Sequence, residues 1–200
     1  YGKYYMDPVF DIRDINLDGI RELYAITITS DDSVFVNQAA LKARSNVSRR
    51  KFVTKLERYQ DQLDAVIHGL GFSDVNGDSV PEYLFVISAG FTLQPRAVYA
   101  WDIKKDHILR SPFTGMNVKH PNGLISADLN HDEIREIFLP TGSTDNYNTP
   151  VPFSDTASYS LVLTKDLQYL YPPVLVAGPS SISNSFPITI NDTTHILTIA

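Results

Sequence analysis

Three short stretches place oxygen-bearing side chains at alternating positions. They are DINLDGIRE with Asp14, Asn16, Asp18 and Glu22, DVNGDSVPE with Asp74, Asn76, Asp78 and Glu82, and DLNHDEIRE with Asp128, Asn130, Asp132 and Glu136. Where the backbone curls around a point, the first, third and fifth side chains face it and the ninth adds a further carboxylate. The seventh position contributes a main-chain carbonyl, here that of Ile20, Val80 or Ile134. Such an all-oxygen shell, many-membered and flexible, is the kind Ca²⁺ takes in preference to Mg²⁺. His and Cys play no part in the pattern, which points away from zinc and copper. A cation there would act structurally, relieving the repulsion between crowded carboxylates and fixing the loop.

Asp and Asn also form turns without any ion, because their side chains bond nearby backbone N–H groups. One such loop alone would favour that plain reading; three in register, all ending in Glu, favour a metal. The loops differ at the turn. Gly19 occupies it in the first, Gly77 comes one step early with Ser79 at the turn in the second, and Glu133 stands where glycine is expected in the third. A side chain there requires a strained backbone, so the expected order of affinity is first, second, third.

The loops belong to a longer repeat. Asp14, Asp74 and Asp128 open loops that begin 60 and 54 residues apart, and each loop runs directly into an apolar segment. Each unit holds four short segments rich in Val, Ile, Tyr, Phe and Thr, separated by polar or Gly/Pro turns, which read as strands. Four antiparallel strands per repeat make the blade of a β-propeller. The expected fold is therefore all-β, a propeller-like array in one domain over 1–200. Its units run approximately over 7–60, 64–115 and 121–177, with a partial one over 180–200 from FPITI and HILTIA. Runs such as YAITI and YLFVI lack alternation, as inner strands covered on both faces do. Residues 49–68 also show helical spacing, with Ser48 as a possible cap, but the other units require a strand at KFVTKLE. Three blades and a part do not close a ring, so the array is expected to belong to a longer protein and to leave an apolar face uncovered.

Composition narrows the partners. A formal charge of −6 without basic clusters excludes a nucleic-acid surface, which needs concentrated Lys and Arg. Small molecules, glycans, proteins and cations remain. The chain has no cysteine, hence no disulfide, thiolate metal site or thiol catalysis. No apolar run is long enough to cross a bilayer, and the opening YGKYYMDPVF has no apolar signal core.

With their apolar strands, the three loops resemble the calcium loops of FG-GAP or VCBS-type repeats, the blades of integrin-α-like propellers. The resemblance extends from residue 7 to about 177. It implies Ca²⁺ held by the side chains and carbonyls named above, and a place outside the cytoplasm, periplasmic, cell-surface or secreted. AGFTLQPRAVYAWDI, over 89–103, is more loosely similar to extracytoplasmic sensing regions of some bacterial histidine kinases. EF-hands use comparable loops but flank them with helices, whereas strands flank these.

Signals for catalysis are few. His68, His107, His120, His131 and His195 form no HExxH, and neither a GxSxG elbow nor a phosphate-cradling loop occurs. Asp31 and Asp32 read as a turn. Arg96, Trp101 and the polar stretch 141–159, with Tyr147, Pro150 and Phe153, could contact a ligand, although packing suits Trp101 better. Asn46-Val-Ser48 and Asn191-Asp-Thr193 match the glycosylation triplet. A calcium-stabilised recognition module, sensing or adhesive, is the leading expectation. The alternative is a glycoside hydrolase or polysaccharide lyase on the same scaffold, since catalytic carboxylates need no fixed spacing.

Overall fold

The computed structural model describes residues 3–6, 10–42, 47–56, 64–89, 96–119, 125–143 and 152–200, and these contain strands and turns with no helix. β1 (Lys3–Met6) is followed by β2 (Phe10–Arg13), β3 (Glu22–Ile28), β4 (Ser33–Ala40) and β5 (Val47–Lys55). The last four pair in chain order as an antiparallel sheet, sheet I. Sheet II is built from β6 (Asp64–Ser73), β7 (Glu82–Ala89), β8 (Ala97–Asp102) and β9 (His107–Arg110). β1 joins it as a fifth strand, parallel to β6, with Lys3 opposite Asp64. The sequence offers no turn or spacing signal for that pairing.

Between sheets II and III lies β10 (Asn117–Val118). Sheet III comprises β11 (Ile125–Ala127), β12 (Glu136–Leu139), β14 (Ser158–Leu163) and β15 (Val174–Ala177). The apolar segment EIFLPTG, which follows the third acidic loop, is split. Pro140 has no N–H to give to a ladder, and beyond it β13 (Thr141–Gly142) leaves sheet III to pair with β10 and with β16 (Ile182–Ile190). The tail, expected as a partial unit, supplies two strands of a larger sheet. With β10 and β13, β16 and β17 (Thr193–Ile199) form a fourth sheet of four strands, sheet IV. The β16–β17 hairpin turns at Asn191 and Asp192, both left-handed with φ of 49° and 61°, as a two-residue turn requires.

KFVTKLE settles as strand from Lys51 to Lys55, the end of β5. Lys51 pairs with Val36 and Phe52 with Phe35, and the two Phe rings meet edge to face at 5.7 Å. Helical spacing there gives way to ladder pairing with β4. Of the rest of the helical alternative, residues 64–68 belong to β6, and residues 57–63 lie outside the described residues.

The sheets stack face to face. From β7, Tyr83, Phe85 and Ile87 pack with Tyr24, Ile26, Val34 and Val36 of sheet I. On its other face Leu84 and Val86 pack with Ile137, Leu139, Leu161 and Leu163 of sheet III. This is why YLFVI is apolar without alternation: both faces are covered. Trp101, fully buried, sits in the first of these interfaces. The far face of sheet I is bare, with Phe10 59%, Ile12 42% and Phe52 53% exposed.

Candidate functional site

Each acidic loop joins the first two strands of its own unit: residues 14–21 connect β2 to β3, 74–81 connect β6 to β7, and 128–135 connect β11 to β12. One hydrogen-bond pattern recurs. The Asp14 carboxylate accepts from the backbone N–H groups of Asp18 (3.1 Å) and Gly19 (2.9 Å). Asp74 does the same for Asp78 (3.1 Å) and Ser79 (2.9 Å), and Asp128 for Asp132 (3.2 Å) and Glu133 (2.9 Å). The third-position amide oxygens of Asn16, Asn76 and Asn130 accept from the fifth residue's N–H at 3.1, 2.9 and 3.2 Å. Asp18, Asp78 and Asp132 in turn accept from Ile20, Val80 and Ile134 at 2.8, 3.0 and 2.9 Å. Short side chains spaced by two thus cap the N–H groups that a tight curl strands.

Glu22, Glu82 and Glu136, the ninth residues, are all buried. Each closes its loop by accepting from the N–H of the second residue: Ile15 at 3.4 Å, Val75 at 2.9 Å and Leu129 at 2.9 Å. Val75, fully buried, packs with the sheet II and sheet III core, and Ile15 packs against the sheet I and sheet II core. In the first two loops the second residue therefore anchors the loop in the stack.

Backbone geometry explains the glycine pattern. Two positions in every loop are left-handed: the fourth, at Leu17, Gly77 and His131 (φ 57°, 75° and 61°), and the sixth, at Gly19, Ser79 and Glu133 (φ 84°, 68° and 67°). Gly77 is not misplaced by one step but fills the first of these positions, while Gly19 fills the second. The third loop has glycine at neither, and an L side chain in that region costs roughly 1–2 kcal/mol. The second and third loops are neighbours, since a Cβ on Gly77 would lie 3.7 Å from Ile134 Cγ1.

The second loop carries additional charge. Asp102, buried at the end of β8, lies 3.5 Å from the Asn76 amide nitrogen, which donates to Glu82 at 2.6 Å. The turn after β8 brings Lys104 within 3.3 Å of Asp78 and Lys105 within 3.0 Å of Asp102. Burial, together with the charges of Asp102 and Asp74, raises the Glu82 carboxyl to about 7, against the pull of the Val75 N–H. Desolvation would also raise Asp128, but the N–H groups of Glu133, His131 and Asp132 outweigh it and hold that carboxyl below its ordinary value. Repeat spacing does not reveal Asp102, Lys104 or Lys105; the doubled lysine in WDIKKD is their only mark in the sequence.

The donors are oxygens throughout, the kind a hard cation takes. An oxygen that already accepts one N–H keeps a second lone pair for an ion. Among the described residues, however, no three or more His, Asp or Glu side chains gather as a ready metal cage. Two aspartates and an asparagine face each turn, and the glutamate is bonded to backbone.

At the opposite end of the strands, Arg96 and Asp155 form a buried ion pair at 3.0 Å, and Arg96 also donates to the Gly115 carbonyl at 2.7 Å. Arg96 thus ties loop to loop. Phe153 packs edge to face on Tyr159 and Tyr169, while Tyr147 and Pro150 lie outside the described residues. Asp31 accepts from Ser33 Oγ at 2.9 Å in the β3–β4 turn, and His107, His131 and His195 are exposed. Asn191 stands in the β16–β17 hairpin turn and Thr193 opens β17, while Asn46 lies outside the described residues. No protein-family model, no curated protein and no solved structure matches the chain.

Proposed function

We propose that this chain is a calcium-stabilised recognition module, part of a β-propeller acting outside the cytoplasm, in a protein that senses or adheres to a glycan, a small molecule or another protein. One observation carries the reading: the same DxNxDxxxE loop, with the same capping bonds and the same pair of left-handed residues, recurs between the first two strands of three consecutive stacked sheets. A turn needed only for its shape is satisfied by many sequences; retention of two carboxylates, an amide and a glutamate in all three favours a cation. Ca²⁺ would be held by Asp14, Asn16, Asp18, the Ile20 carbonyl and Glu22, and by their counterparts in the other loops. Weak extracellular-type sites of this sort fill at millimolar calcium. The ion would lock the strand connection, leaving ligand contact to other surfaces.

Calorimetric titration of the EGTA-treated protein with CaCl₂, paired with melting curves, tests this. Saturation at about 100 times Kd should add about 2.7 kcal/mol. At about 2–4 °C per kcal/mol, the melting temperature should rise by several degrees. Absence of both heat and shift would overturn the proposal.

A further inference from the structure

The three loops share their backbone bonds but not the partner of one oxygen. In the first and third, the outer carboxylate oxygen of the fifth residue accepts from the loop's own asparagine: Asn16 to Asp18 at 3.0 Å and Asn130 to Asp132 at 2.9 Å. In the second, Asn76 turns away to Glu82 at 2.6 Å, and the corresponding oxygen of Asp78 faces the Lys104 ammonium at 3.3 Å. Lys104 also donates to the Asp78 carbonyl at 3.2 Å. Asp102 holds the turn that delivers this lysine, accepting from the Lys105 N–H at 2.8 Å and its ammonium at 3.0 Å. Among the described residues no lysine or arginine pairs with Asp18 or Asp132.

We infer that the second loop carries its own cation: Lys104, positioned by the β8–β9 turn, competes with a metal ion at Asp78 and makes this loop the weakest of the three for calcium. The inference rests on the calcium reading above and exchanges the second and third places in the order that glycine content alone suggests. A tethered ammonium stabilises Asp78 in the absence of calcium, so this loop keeps its shape when the other two are emptied. A positive charge on the same carboxylate opposes the binding of an incoming divalent ion even where solvent screens the pair. Lys104 is half-exposed, so its removal leaves the core intact.

The test is CaCl₂ calorimetry on the EGTA-treated chain, comparing wild type, Lys104→Met and Lys104→Met/Asp78→Asn, with melting curves in EGTA and in calcium. Lys104→Met should tighten one site roughly five- to tenfold. The double variant should lose that gain. In EGTA the single variant should melt below wild type, and calcium should close the gap. Wild type that binds calcium with no change in Lys104→Met overturns the inference and leaves the calcium reading standing. No binding by any of the three proteins overturns the reading and the inference with it.

Discussion

Sheet II meets sheet I through aromatic rings, whereas sheet III meets sheet IV through hydroxyl groups. In the first interface Tyr24 of sheet I lies edge-on to Phe72 at 4.9 Å and to Trp101 at 6.2 Å, and within sheet II Phe85 stacks on Tyr99 at 5.4 Å. In the second, Ser160 meets Ser185 at 2.9 Å and Tyr171 at 3.2 Å, and Ser185 meets Thr198 at 3.0 Å. Ser158 meets Ser181 at 2.7 Å, and Thr141 donates to the Tyr159 carbonyl at 2.9 Å. Ring burial is strong and tolerant of small shifts, since it scales with the area removed from water. Hydroxyl pairing is weak on balance, about 0.5–1.5 kcal/mol per bond, because each bond replaces one to water. It is directional, however, and it fixes how the β16–β17 hairpin sits. The stack is therefore glued at one end and keyed at the other.

Substitutions on either side can break or sharpen this contrast. Trp101→Ala should have the largest effect, a loss of about 3–5 kcal/mol in denaturant unfolding, from deleting a fully buried ring. A cost below 1 kcal/mol would mean that the aromatic interface does not carry the stack. Ser160→Ala should cost about 1–2 kcal/mol, because Ser185 and Tyr171 each lose a buried partner. Replacing Ser160 and Ser185 together should cost less than the sum of the single changes, a coupling that a double-mutant cycle reads directly. Tyr83→Phe should produce the smallest change and the opposite sign. The Tyr83 hydroxyl is buried without a hydrogen-bond partner among the described residues, and burial holds its pKa well above the ordinary value. Its removal should raise stability by up to about 1 kcal/mol. Hydroxyl loss that destabilises in the keyed interface and stabilises in the glued one would establish the difference; equal signs would remove it.

Much of this molecule is written locally. The strands of β3, β4, β7 and β8 follow from β-branched and aromatic runs bounded by turn residues, and the three acidic loops are visible because Asp and Asn cap neighbouring N–H groups through short-range geometry. Residues 47–55 mark the limit of such reading. Those from 49 onward fall in the 49–68 stretch whose spacing suits a helix, and only the partner strand β4 decides for a ladder. The glycine pattern was half-legible: the turn glycine of the first loop stood out, but the existence of two left-handed positions, and hence the sense of Gly77, emerged only from the backbone.

What the sequence alone determined is therefore the repeat, the all-β character and the donor types in each loop, because strand propensity and turn capping act between residues a few positions apart. Tertiary structure decided the rest. Pro140 divides one apolar run between sheets III and IV, and β1 crosses to sheet II although its own neighbours build sheet I. The ninth-residue glutamates turn back onto backbone N–H groups, and Lys104 reaches Asp78 across 26 residues of chain. These outcomes depend on which edges remain unpaired and which charges meet once the sheets have stacked, and no residue's immediate neighbours encode them.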